Sequence, residues 1–255
     1  MSKRGFNRRG QVTIFIIIAV VIVVGAIIAF LAFPRINIIS GEVNPSSFLR
    51  DCVEPSIDET LDLVARQGGY TEPSHYTLYQ DEMIQYLCYT DSDYEPCRVQ
   101  QPALVRHVEQ ELKTRVRSTA VGCVDNLAQA YEARGYGVTT SPADVNVTLN
   151  SNGVVLDFIA PMTITREEGI TQSFERFAVT KESKIYDLLI TATSIISFES
   201  SLGDSETLLY VQYYPDLKIE KIRRSPDTIY KLSNVVTGDE FSFATRSLVW
   251  PQGYN

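Results

Sequence analysis

The chain has 255 residues, 44% of them hydrophobic and 21% charged, and a net charge of −8. That length can bury one sizeable core. The five bases of the first 35 residues leave −13 for residues 36–255, with no basic, aromatic-interleaved patch, which excludes nucleic acid as a partner because phosphates need a Lys/Arg surface.

Residues 1–11 form a basic tail with Lys3, Arg4, Arg8 and Arg9 and no acid. Residues 12–33 follow without a charge. As a helix they would extend roughly 33 Å, enough to cross a bilayer core of about 30 Å. The expectation is a single transmembrane helix with the lipid bilayer as its partner. The cationic tail places the N-terminus in the cytoplasm and the C-terminal bulk outside. A cleaved secretory signal is the alternative; its apolar core is shorter and ends in a small-x-small site, whereas Ala29 and Ala32 are spaced by two residues.

The run Arg8-Arg9-Gly10-Gln11-Val12-Thr13 resembles the start of archaeal proteins with a class III, prepilin-like signal. The resemblance implies a candidate processing site between Gly10 and Gln11 that leaves the apolar run attached. Phe15 stands where that family often carries a Glu that guides filament assembly, and Pro34 interrupts the helix that a pilin continues into its head domain. Both departures point away from a filament subunit.

Residues 34–46 read as a linker and residues 47–255 as the extracytoplasmic domain, with a further division near Pro142 left open. Phe48, Leu49, Cys52, Val53, Ile57, Leu61 and Val64 recur at helical steps, with Pro55 marking a kink or a second helix start and Gly68-Gly69 the end. Residues 70–101 read as a loop-rich insert. Pro102 opens a long helix along Leu104, Val108, Leu112, Val116, Ala120, Val124, Leu127 and Tyr131, which Gly135 ends.

From Ala143 the period becomes two. Val145, Val147 and Leu149 form one strand, Asn150-Ser151-Asn152-Gly153 a turn, and Val154 to Thr165 a long strand with alternate residues buried. Glu167-Glu168-Gly169 turns the chain into a third strand over Ile170–Thr180. Lys184–Phe198 reads as a helix. Thr207–Tyr214, Leu217–Arg223, Thr228–Asn234 and Glu240–Ala244 read as short strands. The expected fold is α+β: one N-terminal transmembrane helix, then two to three helices packed on an antiparallel sheet.

Cys52, Cys88, Cys97 and Cys123 allow three disulfide connectivities. Cys88–Cys97 and Cys52–Cys123 are preferred: the first closes a polar loop and the second staples two helices. Loops of about 10 and 72 residues correspond to roughly 2.7 and 4.4 kcal/mol. A zinc site is disfavoured, since no C-x-x-C is present and His75 and His107 are the only histidines. Asn146-Val147-Thr148 is the single N-x-S/T sequence, making Asn146 a candidate glycosylation site.

Phe48-Leu49-Arg50-Asp51-Cys52 through Gln67-Gly68-Gly69-Tyr70, with the Val108–Cys123 helix, resembles single-span surface proteins of small-genome archaea. That resemblance implies location and class, and it transfers no activity and no catalytic residue.

No H-E-x-x-H, G-x-S-x-G, Walker loop or G-x-G-x-x-G occurs. Gly203-Asp204-Ser205 resembles the opening of GDS-type esterases, but no histidine follows His107. Glu167-Glu168 and Asp91/Asp93 lack EF-hand spacing. No catalytic residue, metal ligand or cofactor is assigned. The leading expectation is a noncatalytic, membrane-anchored surface protein for adhesion, envelope organisation or pilus-like interaction, with a protein or cell-surface partner. The alternative is an extracytoplasmic enzyme or small-ligand sensor. A buried pocket with perturbed carboxylates would favour the second; an exposed aromatic patch would favour the first.

Overall fold

The computed structural model describes residues 43–166 and 169–249, together with Val20, Ile22 and Val23. The chain divides into two units, Met1–Glu42 and Val43–Asn255, and the fold concerns the second. The basic tail, Gly10, Gln11 and most of residues 12–33 lie outside the described residues.

Helix α1 (Pro45–Arg66) starts where a local signal demands it. The Asn44 side chain accepts from the backbone N–H groups of Ser46 and Ser47, and Pro45 occupies a position whose N–H needs no partner. The end of the expected linker is therefore the helix cap. Pro55 lies inside one continuous α1. The stripe Leu49, Val53, Ile57, Leu61 and Val64 is buried on both sides of it, so packing compensates for the missing hydrogen bond.

The expected insert 70–101 instead supplies three strands: β1 (Tyr76–Tyr79), β2 (Glu82–Tyr89) and β3 (Arg98–Val99). Next come α2 (Leu104–Glu132), β4 (Gly137–Thr140), β5 (Asp144–Asn150), β6 (Gly153–Thr165) and β7 (Thr171–Lys181). The chain then forms α3 (Ile185–Leu202), α4 (Leu208–Tyr213), β8 (Leu217–Arg224), β9 (Asp227–Asn234) and β10 (Glu240–Arg246).

The strands form two sheets. The larger runs β1-β2-β10-β9-β8, with β3 also on β2; in the smaller, β6 pairs β4, β5 and β7. The β6–β7 ladder shifts register between Ile159 and Met162, where Pro161 has no N–H to give. One hydrophobic core joins both sheets to the first three helices. Helix α1 packs against β7 of one sheet and β10 of the other, while α3 lies on β10, β9, β2 and β3.

Helix α2 also protects the exposed edge of β5. Glu109 accepts from the Leu149 N–H at 2.8 Å, Lys113 donates to Asn146 Oδ1 at 2.8 Å, and Arg117 pairs with Asp144 at 2.7 Å. Three residues at four-residue spacing thus cover a strand edge that would otherwise offer free backbone groups.

Disulfides join Cys52 to Cys123 and Cys88 to Cys97, with Cα separations of 5.9 and 5.3 Å. The first staples α1 to α2. The second ties the start of β3 to β2, and Cys97 N–H also donates to Ser247 Oγ at 2.9 Å.

The expected fold class needs correction in three respects. Four helices are present among the described residues, where two to three were expected. There is no single antiparallel sheet: β2 and β10 run parallel, since 150 residues of intervening chain give room for the crossover that parallel strands require. Lastly, no described helix is long and apolar enough to cross a membrane. The expected span 12–33 lies outside the described residues except for Val20, Ile22 and Val23, and α1, α2 and α3 are amphipathic, each giving an apolar face to the core.

Candidate functional site: an apolar groove between α3 and α4

Helix α3 is held at its start by a distant turn. The Asp239 carboxylate accepts from Lys184 N–H and Ser183 Oγ, each at 2.7 Å, and Ser183 Oγ accepts from Ile185 N–H at 3.1 Å. Lys184, the residue just before the helix, makes no side-chain cap bond, and Asp239 lies 55 positions away, so local reading could not show this anchor. At the other end Gly203 adopts φ 78°, the left-handed conformation that ends a helix.

One face of α3, with Leu188, Leu189, Ala192, Ile195 and Ile196, is buried in the core. A second stripe at four-residue steps, Ile190, Ser194, Phe198 and Leu202, faces outward. Helix α4 lies beside this stripe, fastened by the Ser194–Tyr210 hydroxyl pair at 2.8 Å. The segment Thr207–Tyr214 was expected as a strand; the structure makes it a helix with no buried residue. Its side chains project: Leu208 is 70% exposed and Tyr213 77%.

Between them lies a groove of about 680 Å³ walled by Phe198, Leu202, Leu209 and Tyr213 and bordered by Asp204 and Glu206. A second hollow of about 510 Å³ shares the Tyr214 wall and carries Ile190, Asp187 and Asp216. Grouped exposed leucine and tyrosine is uncommon on a soluble domain, whereas isolated exposed apolar residues are ordinary. The signal that could have found it was an α3 apolar on more than its core side.

The alternative reading rests on Glu199, which is 2% exposed. Burial pushes its carboxyl up, against the opposing pull of the Tyr230 hydroxyl and Lys221. The Tyr230 hydroxyl donates to Glu199, and burial next to this carboxyl moves the phenol far up. Lys221 and Arg223 both pair with Asp204. The adjoining cavity, lined by Glu199, Asp204, Arg223 and Thr228, measures about 170 Å³. Small-molecule sites are usually about 300–1,000 Å³. This cluster is satisfied internally and anchors the end of α3 to β8 and β9.

Glu199 nevertheless gives a pH signature. Its folded carboxyl binds a proton above the range where the unfolded chain releases it, so this group's contribution to stability is full below about pH 4.5 and is lost as pH rises through the folded value. Glu199→Gln retains an acceptor for Tyr230 and is expected to be as stable as wild type in acid and more stable at neutral pH, measured by urea unfolding across pH. Equal slopes for both proteins would refute this.

The other singled-out residues lie elsewhere. Arg246 bonds Asp227 at 2.7 Å, Tyr86 OH at 3.0 Å and Tyr89 OH at 3.2 Å, occupying those tyrosines in a structural clamp. His75 packs on the same two rings; His107 packs on Tyr70 at 4.0 Å, and burial pushes its imidazole down. Gly203-Asp204-Ser205 is the turn after α3, Asp91 and Asp93 are exposed, and Asn146 is exposed on β5. Glu167 and Glu168 lie outside the described residues. Among the described residues no group of three His, Cys, Asp or Glu side chains could hold a metal ion.

Fold and groove together define a disulfide-stapled α+β domain with an exposed apolar groove between α3 and α4. No protein-family profile matches the chain, and no curated protein or solved structure matches it.

Proposed function

We propose that this chain is a noncatalytic extracytoplasmic interaction protein, serving adhesion or envelope organisation, that engages its partner through the α3–α4 groove. The carrying observation is the exposure of Phe198, Leu202, Leu209, Tyr213 and Tyr214 around one groove. Two disulfides support an oxidising compartment, and the acidic composition supports a soluble exported surface.

The test is photo-crosslinking in the native cell. A photoreactive amino acid installed at Leu209 is expected to yield a discrete adduct, while the same group at exposed Glu175 on β7 yields none. Indistinguishable patterns at the two positions would remove the groove as the docking face.

A further inference from the structure

We infer that the groove receives a cationic amphipathic helix of a protein partner, an assignment that rests on the docking reading above and names the chemistry of the occupant. Shape comes first. The walls come from α3, α4 and the turn between them, so the groove presents no strand edge. An extended peptide lying there would bury N–H and C=O groups without partners. A helix arrives with those groups already satisfied and needs only an apolar face.

Charge comes second. Glu206 lies just before α4 and Asp216 just after it; both are exposed, and neither has a cationic partner among the described residues. One borders the larger hollow and the other the smaller; of the neighbouring acids, Asp204 is paired with Lys221 and Arg223 and Asp187 with Lys184. Glu206 and Asp216 therefore carry the uncompensated negative charge, one at each end of α4. An occupant with apolar residues in its middle and Lys or Arg on either side matches this layout. The −13 carried by residues 36–255 adds long-range attraction for such a partner and repels a second copy of the chain. The same acids oppose an anionic bilayer surface.

Two labelled peptides of about 18 residues decide the matter. Both carry one Leu/Phe face; one has Lys at each end and the other Glu. Fluorescence anisotropy with the full chain is expected to show the Lys-ended peptide binding about tenfold tighter or more, with the advantage shrinking as salt rises. The double variant Glu206→Lys/Asp216→Lys should invert the preference, and Leu209→Asp should weaken both peptides. Charge reversal at exposed positions leaves the core intact, which circular dichroism verifies. Equal affinity for the two peptides overturns the cationic assignment while leaving docking in place. Binding of neither also overturns it, and the Leu209 crosslink then decides separately whether the groove docks anything. Capture by anionic vesicles, or a dimer that Leu209→Asp dissolves, would reassign the groove to lipid or to a second copy.

Discussion

Replacing Cys52 and Cys123 together by alanine is expected to lower the unfolding free energy by about 4 kcal/mol, because the crosslink spans 71 positions and restricts the unfolded chain strongly. The folded state loses packing as well: Cys123 is 1% exposed in the face of α2 that meets α1. In a domain of this size the melting temperature should fall by roughly 10–15 °C. The matching Cys88→Ala/Cys97→Ala variant closes a far smaller loop, with a separation of 9, and should lose about 2.7 kcal/mol. Urea unfolding of the two variants beside wild type checks the order. A larger loss for the Cys88/Cys97 variant would mean that the β2–β3 loop, and not the α1–α2 staple, limits stability.

Gly153→Ala should cost roughly 3 kcal/mol or more, from strain and overpacking together. Gly153 has φ 132°, and a Cβ there would sit 2.0 Å from the Lys181 carbonyl oxygen and 2.7 Å from Ser183 N. Those are backbone atoms at the end of β7, so relief requires moving the strand that leads into α3. Gly238→Ala is the control. Its φ is 79° but nothing lies within 4 Å of the added carbon, so it should lose about 1 kcal/mol from backbone strain alone. Equal losses in thermal or urea unfolding would show that the close approach of β7 contributes nothing.

Much of the middle of the chain was legible. The apolar steps from Leu104 to Tyr131 are the buried face of α2, and the alternation from Val154 to Ile164 is the buried face of β6. Both patterns are long enough for period to outweigh ambiguity. The hairpin glycine was legible as turn chemistry, but the reason nothing larger fits is the arrival of Lys181 from another strand. Residues 76–99 were missed because β1 and β3 are short and β2 is almost continuously buried, which blurs its alternation. Helix α4 was misread because Leu208 to Tyr214, rich in leucine and tyrosine, satisfies strand preference as readily as one and a half turns of helix.

The candidate groove was hidden for a different reason. Its residues are ordinary leucines, tyrosines and a phenylalanine, and nothing in their order distinguishes an exposed apolar residue from a core one. Exposure is a property of what packs above a side chain. Leu189 and Leu209 differ in nothing but that: one is fully buried under α3's neighbours and the other 57% exposed on α4.

By itself, then, the sequence determined the acidic balance and the periods of the long helix and the meander, because composition and short-range period are properties of neighbouring residues. The parallel β2–β10 pairing, the Asp239 anchor under α3, the Glu199–Tyr230 couple and the open face of α4 were decided only by tertiary structure. Each joins or exposes groups far apart along the chain, and such relations exist only after the intervening segments have folded and taken their places.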